Sequence, residues 1–359
     1  MKKEVELILL GSIIKRTEAE QKRLNELFPQ KMDWAFITGE LIRHRLNGNF
    51  LCSISEEQSD YIITKVKNTF TLLSDCYEAA NIENMRFLEG FFKKTGDAGI
   101  SIAGLKGVVF NTSIYSLKAR KSNDMDLLVK ESDLKTFDSI IRDFGFIQSS
   151  DGGKTEASRR DKMIQRMNYH DLVPYYKYIG LPYQPYLKVD VNFHFDSKEH
   201  DITEAIIEEG LVNYQGNGFS IKGLNPYTHI LHLCVHFCRE ATDSLWTSIA
   251  RDVELYKIID IENTLRMRSR EELFIWCKYV DKFGLNKQCY FTLFYLNKFF
   301  PKSLYVELME KIQPSDIEYL NKVHVAGGGL KERNEDFFDR TFDMNYGKSF
   351  AHRDTSRVE

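Results

Sequence analysis

The sequence predicts an α+β fold: a small mixed sheet core held between two helical regions. Two changes of hydrophobic period carry this reading. Over residues 1–98 apolar side chains recur three and four apart, over about 99–200 they alternate or form short runs, and over 201–325 the helical spacing returns. A segment at 326–336, "AGGGLKERNED", reads as a hinge, and 326–359 as a hinge with a polar tail.

In the first region, "EVELILLGSII", "WAFITGELIRHRL" and the long stretch from Ser59 to Gly96 read as helices. Asp33 is placed to cap the second and Gly96 to stop the third. The core then opens with a short strand in "ISIAGLKG". A helix ("VVFNTSIYSL"), a loop and the strand "MDLLVK" follow. Ser132 and Gly145 bracket a further helix. "DGGKTEASRRDK" is a polar loop. "YHDLVPYYKY" and "LKVDVNFHF" are strands joined by a turn around "IGLPYQP". In the last region Asn225-Pro226 starts the helix "YTHILHLCVHFCRE", followed by "SLWTSIARDVELYKIID" and "REELFIWCKYVDKFG". The tail carries Phe337, Phe338, Phe342, Tyr346 and Phe350, enough apolar surface to dock.

Bulk properties narrow the function. The 359 residues suggest two or three domains, and 43% hydrophobic with 28% charged residues suits a globular protein with a real core. A formal charge of −3 gives no global basic field, so nucleic acid is possible but not favoured as a partner. The six cysteines lack the paired spacing of a zinc site and read as reduced thiols in a cytoplasmic protein. Glu4 and Glu6 interrupt the apolar start, against a signal peptide, and no run of 18 apolar residues predicts a membrane span.

Chemistry concentrates near "NDMDLLVK". Residues i and i+2 of a strand share a face about 7 Å apart, so Asp124 and Asp126 converge while Met125, Leu127 and Val129 pack opposite. They are either solvated turn residues or they hold something positive. In the strand from Leu187, the residues Leu187, Val189, Val191, Phe193 and Phe195 share one face. Lys188, Asp190, Asn192 and His194 share the other, so Asp190 can supply a third carboxylate or merely solvate the sheet. Lys106-Gly107 at a strand-to-helix junction and Arg120 are candidate phosphate contacts.

"GLKG", Tyr115, Arg120, "DMDLLV", Asp133 and Gly145-Phe146 together resemble the uncharacterised nucleotidyltransferase family of the polymerase-β-like nucleotidyltransferase superfamily. "WAFITGELIRHRL" and the stretch from His232 to Ile259 are similar to its helical flanks. The resemblance spans most of residues 30–300. It implies a nucleotidyltransferase core that moves a nucleoside monophosphate from an NTP co-substrate to an acceptor, with Mg²⁺ or Mn²⁺. It maps the metal-binding and catalytic carboxylates onto Asp124, Asp126 and Asp190. Two departures stand out: Lys106-Gly107 where the superfamily usually has Gly-Ser, and Asn192 where relatives often have histidine, which removes a titratable group.

His229, His232 and His236 fall on one helix face. They suit a metal site, a cleft lining or simple packing. His236 and Asp252, in the family-like flank, are secondary cleft candidates. The tyrosines of "VPYYKYIGLPYQPY" can stack a base or cover a sheet edge. Arg159, Arg160, Lys162 and Arg166 can meet RNA or form a solvated face. The leading expectation is transfer to a small molecule, peptide or protein. An RNA- or tRNA-modifying enzyme and a non-catalytic nucleotide-binding or scaffold protein are the alternatives.

Overall fold

The computed structural model describes residues 1–249, 251–325, 329–333 and 336–343. The N-terminal helices are α1 (Lys3–Gly11), α2 (Glu18–Leu27), α3 (Trp34–Arg43), α4 (Asn47–Ser53), α5 (Glu56–Ser59) and α6 (Thr64–Asp97). Asp33 caps α3 as the sequence suggests, accepting from Phe36 N at 3.0 Å. Helix α6 runs past Gly96. The residue that turns the chain is Gly99, at φ +74°, a left-handed conformation that suits glycine.

The core follows as β1 (Ile102–Gly104), α7 (Gly107–Ser113), β2 (Met125–Val129), α8 (Leu134–Asp143), β3 (Ile147–Gln148), α9 (Arg159–Asn168), β4 (Tyr175–Tyr178) and β5 (Tyr186–Asn192). Ser132 is not the cap of α8. A 3₁₀ turn over Glu131–Asp133 precedes the helix and uses up that position. Gly145, at φ +86°, does end α8.

Past residue 200 the chain is not helical throughout. After α10 (Thr203–Glu208), strands β6 (Leu211–Gly216) and β7 (Phe219–Leu224) complete a seven-stranded mixed sheet in the order β3-β4-β5-β2-β1-β7-β6. The physical reason is a two-residue turn. Asn217 and Gly218 both take positive φ, 51° and 82°, the pair a tight hairpin demands. Asn217 Nδ2 also donates to the carbonyls of Asn111 and Tyr115, fixing the hairpin to α7.

Seven more helices close the fold: α11 (Pro226–Ala241), α12 (Ser244–Ser248), α13 (Leu255–Arg266), α14 (Arg270–Lys282), α15 (Asn286–Phe299), α16 (Ser303–Lys311) and α17 (Phe337–Thr341). The stretch read as one helix from Ser244 is broken in two, with Glu254 extended at the break. The expected hinge is partly strand: β8 (Lys322–His324) pairs with β9 (Leu330–Glu332). The tail docks through α17, where Phe337 is buried against Tyr295, Phe237 and Phe299. Tyr346 and Phe350 lie outside the described residues.

Both faces of β2 are covered. Met125, Leu127 and Val129 join Leu187, Val189 and Val191 in a cluster with Phe91 of α6 and Phe137 of α8. Leu128 points the other way, into a larger cluster that fuses N-terminal residues such as Leu7 and Phe50 with C-terminal ones such as Phe237 and Trp276. The helical regions at the two ends of the sequence therefore share one core. It is this second face of the sheet that carries Asp126. Among the described residues, no helix is long and apolar enough to cross a membrane.

Candidate active site

Strands β2 and β5 are parallel neighbours, and their register sets Asp126 directly beside Asp190. Adjacent strands lie about 4.8 Å apart, and residues in register point to the same face. The two carboxylates thus stand side by side. Asp124, one residue ahead of β2, meets Asp190 through Lys188, whose ammonium contacts both carboxylates. The three predicted acids are brought together.

Two lysines hold them. Lys106 Nζ lies 2.8 Å from Asp126 Oδ1; Lys188 Nζ lies 2.7 Å from Asp190 Oδ2 and 3.6 Å from Asp124 Oδ2. Burial, and then the charge of Asp124, push the Asp190 carboxyl up to about 8. Burial likewise raises Asp126, against the pull of Lys106. Asp124 goes the other way: burial opposes its ionisation, but Lys188 and Lys106 outweigh it. The physical picture is a site with more negative charge than it readily holds ionised, with Asp190 the carboxyl held toward its protonated form.

Three carboxylates are the type of oxygen donor that a hard divalent cation takes, and Asp190 Oδ1 is buried with no hydrogen-bond partner. Among the described residues no three acidic, histidine or cysteine side chains already enclose a metal position. The ammonium groups of Lys106 and Lys188 stand against the carboxylates instead.

Lys106-Gly107 sits where the sequence places it, between β1 and α7. Lys106 adopts φ 43° and ψ −117°, a turn conformation that glycine favours, closed by a 3.0 Å bond from Val108 N to Leu105 O. That geometry aims the side chain back at Asp126. Gly107 is needed for close approach: a Cβ there would lie 2.7 Å from Arg120 Nη1 and 2.9 Å from Ser122 Oγ.

Arg120 lines the cavity but is already committed. Its Nε and Nη2 contact Asp260 Oδ2 at 3.0 and 2.9 Å, Nη1 donates to Ser122 Oγ at 3.1 Å, and the guanidinium lies over Phe110 and Tyr256. Burial opposes its charge, and Asp260 more than restores it.

The acids open on a cavity of about 580 Å³, within the ~300–1,000 Å³ range of small-ligand sites. His236 lines it. His229 and His232 do not, and pack on Phe110 and Phe195. Burial holds all three histidines neutral, His229 at about 3. Asp252 is not a cavity residue. It is fully buried, bound to Arg340, 3.2 Å from Thr247 Oγ1 and 3.7 Å from Arg333 Nη1, so it anchors the C-terminal segment. The tyrosines at 175, 176, 178, 183 and 186 lie off the cavity; Tyr176 and Tyr178 contact Tyr186 edge-on over the outer strands. In the basic run, Arg166 pairs with Glu131 and Lys162 with Glu156.

Sequence reasoning did not single out Lys188, Arg239, Lys257, Trp246 or Tyr256, all of which line the cavity. A signal for two of them was present. Lys188 alternates onto the face of Asp190, and Arg239 continues the helical stripe of His232 and His236.

A family model described as uncharacterised nucleotidyltransferase matches residues 30–301, most of the chain. The chain belongs to that family. No curated protein matches it. Membership makes this nucleotidyltransferase a transferase of the nucleotidyl class, and the matched span contains both strands that carry the acids, the Lys106-Gly107 turn and the α11–α13 wall of the cavity.

Proposed function

We propose that this nucleotidyltransferase moves an NMP group from an NTP to a hydroxyl or similar acceptor on a small molecule, peptide or protein, with Mg²⁺ or Mn²⁺. The observation that carries the reading is the in-register pair Asp126–Asp190 with Asp124 against it, facing a cavity large enough for a nucleotide.

Asp124, Asp126 and Asp190 would hold the divalent cation. When bound, it would offset phosphate charge and make an acceptor hydroxyl more acidic. Lys106 and Lys188 supply further positive charge beside the same carboxylates, where an anionic triphosphate must settle. Gly107, lacking a side chain, lets the start of α7 approach the phosphates. With a cation bound, Asp190 would lose its proton, and the ionised carboxylate, whose Oδ1 has no hydrogen-bond partner, would then receive the acceptor proton. Asn192 donates to the Leu127 carbonyl at 3.4 Å and takes no part in proton transfer. Trp246 and Tyr256 line the cavity with cations already over their rings, Arg251 and Lys257 over Trp246 and Arg45, Arg120 and Lys257 over Tyr256. Catalysis on this scheme is positioning and electrostatics.

The test is incubation of the full chain with each α-labelled NTP, Mn²⁺ or Mg²⁺, and cell extract. Pyrophosphate release with label on an acceptor is the expected result, lowered at least ~10²-fold in Asp126→Asn. Tight NTP binding without pyrophosphate would replace the reading with a binding module. Label in the tRNA fraction would move the acceptor to RNA.

A further inference from the structure

Matching the cavity's cations to their partners leaves three without a carboxylate among the described residues: Lys121 and Arg251, which lie over the rings of Tyr183 and Trp246, and Arg239. Lys106 pairs with Asp126, Lys188 with Asp190 and Asp124, Arg120 with Asp260, and Lys257 with Glu240 and Glu254. Arg239, on α11 between His236 and Glu240, lines the same cavity and has no carboxylate within ion-pair distance among the described residues. Its Nη1 donates to the Asp196 backbone oxygen at 3.0 Å, which fixes the direction of the guanidinium. Among the described residues it has no second hydrogen-bond acceptor in the protein.

That arrangement needs an explanation. A guanidinium does not shed its proton in a protein. Burial disfavours the charge of Arg239 by more than Glu240, Asp196 and Asp171 restore it. Its remaining N–H donors are not sealed inside the protein, and with no acceptor among the described residues they stay open to a ligand in the cavity. Of the groups beside it, Glu240 is held by Lys257, His170 is neutral, taken down to about 2 by burial, and Asp171 is raised by burial and accepts from Gln165 Nε2 at 2.9 Å. The planar fork of donors matches a phosphoryl group, which can take two parallel hydrogen bonds.

We propose that Arg239 anchors a phosphoryl oxyanion in the cavity, the role that the sequence suggests for Arg120. This rests on the nucleotidyl-transfer reading of the site. The oxyanion has two possible sources: the polyphosphate of the NTP, or a phosphate carried by the acceptor.

Calorimetric titration of the full-length protein with inorganic triphosphate, and separately with glycerol phosphate, separates the two. Arg239→Gln is expected to weaken triphosphate binding by about 10- to 100-fold and to raise the KM for NTP in step, with little change in kcat. Arg239→Lys keeps the charge without the fork and should lose less; it also serves if the glutamine variant folds poorly. Weakening seen with glycerol phosphate alone supports the proposal and assigns the oxyanion to the acceptor. Unchanged affinity for both probes in both variants overturns it, and continued pyrophosphate release would then leave the transfer reading standing. Arg239-dependent triphosphate binding with no transfer from any NTP would do the reverse.

Discussion

Replacing Asp190 by asparagine tests the charge balance of the site without any assay of transfer. In EDTA, the Asp190 carboxyl titrates at about 8 in the folded protein, against ~3.9 in an unfolded chain. The folded state therefore binds the proton more tightly. This group's contribution is fully favourable below pH ~4 and is lost as pH rises from there to 8. Each unit is worth ~1.4 kcal/mol, so the ceiling on the loss between pH 5 and pH 8 is about 4 kcal/mol. Coupling lowers it, because Asp124, on the same lysine, is shifted oppositely; about 2 kcal/mol is expected to survive. The amide oxygen of Asp190→Asn can still accept from Lys188, but the carboxylate charge that Lys188 meets at 2.7 Å is gone. The variant should therefore be less stable than the parent at pH 5 and more stable at pH 8. Urea unfolding at both pH values gives the difference, since titrating groups that do not interact with Asp190 cancel between parent and variant, and the coupling to Asp124 is already discounted. Mn²⁺ should stabilise the parent at pH 8 and stabilise the variant less. A parent-to-variant difference that stays the same within about 0.5 kcal/mol between pH 5 and pH 8 would refute the reasoning.

Two further substitutions probe the surroundings. Gly107→Ala forces a methyl to 2.7 Å from Arg120 Nη1 and 2.9 Å from Ser122 Oγ, and overpacking of this kind costs about 1–3 kcal/mol, readable as a lowered Tm. Asp252→Ala strips Arg340 of its buried counter-charge; breaking such a pair costs about 3–5 kcal/mol, and melting of the full chain should show it.

The carboxylate site was legible because its signals are local. Alternation over Leu187–Asn192 and the one-residue gap between Asp124 and Asp126 each fix a face, and the shared face follows from strand pairing. The β6–β7 hairpin was legible in principle through Asn217-Gly218, but the Glu208-Glu209 helix end before it draws the eye to helical spacing. Asp252 reads as a cavity group and Arg120 as a free phosphate contact because nothing nearby in sequence announces their partners: Arg340 is 88 residues from Asp252, and Asp260 is 140 residues from Arg120. Pairing across such distances is decided by tertiary packing and leaves no local pattern. Arg239 shows the converse, a helix-end arginine that looks ordinary until its lack of a counter-charge is known.

The docking of α17 has a consequence for how the protein matures. The Thr341 carbonyl takes His44 Nε2 at 2.9 Å and also Arg43, His44 Nδ1 accepts from Leu255 N at 2.9 Å, and Arg340 grips Asp252 in the loop whose neighbours Arg251 and Glu254 wall the cavity. These contacts join parts of the chain made almost 300 residues apart. On the ribosome, the Arg340–Asp252 tie and the bonds to the Thr341 carbonyl cannot form until residue 341 has emerged, so a nascent chain that already carries all three acids still lacks part of the support of its pocket wall.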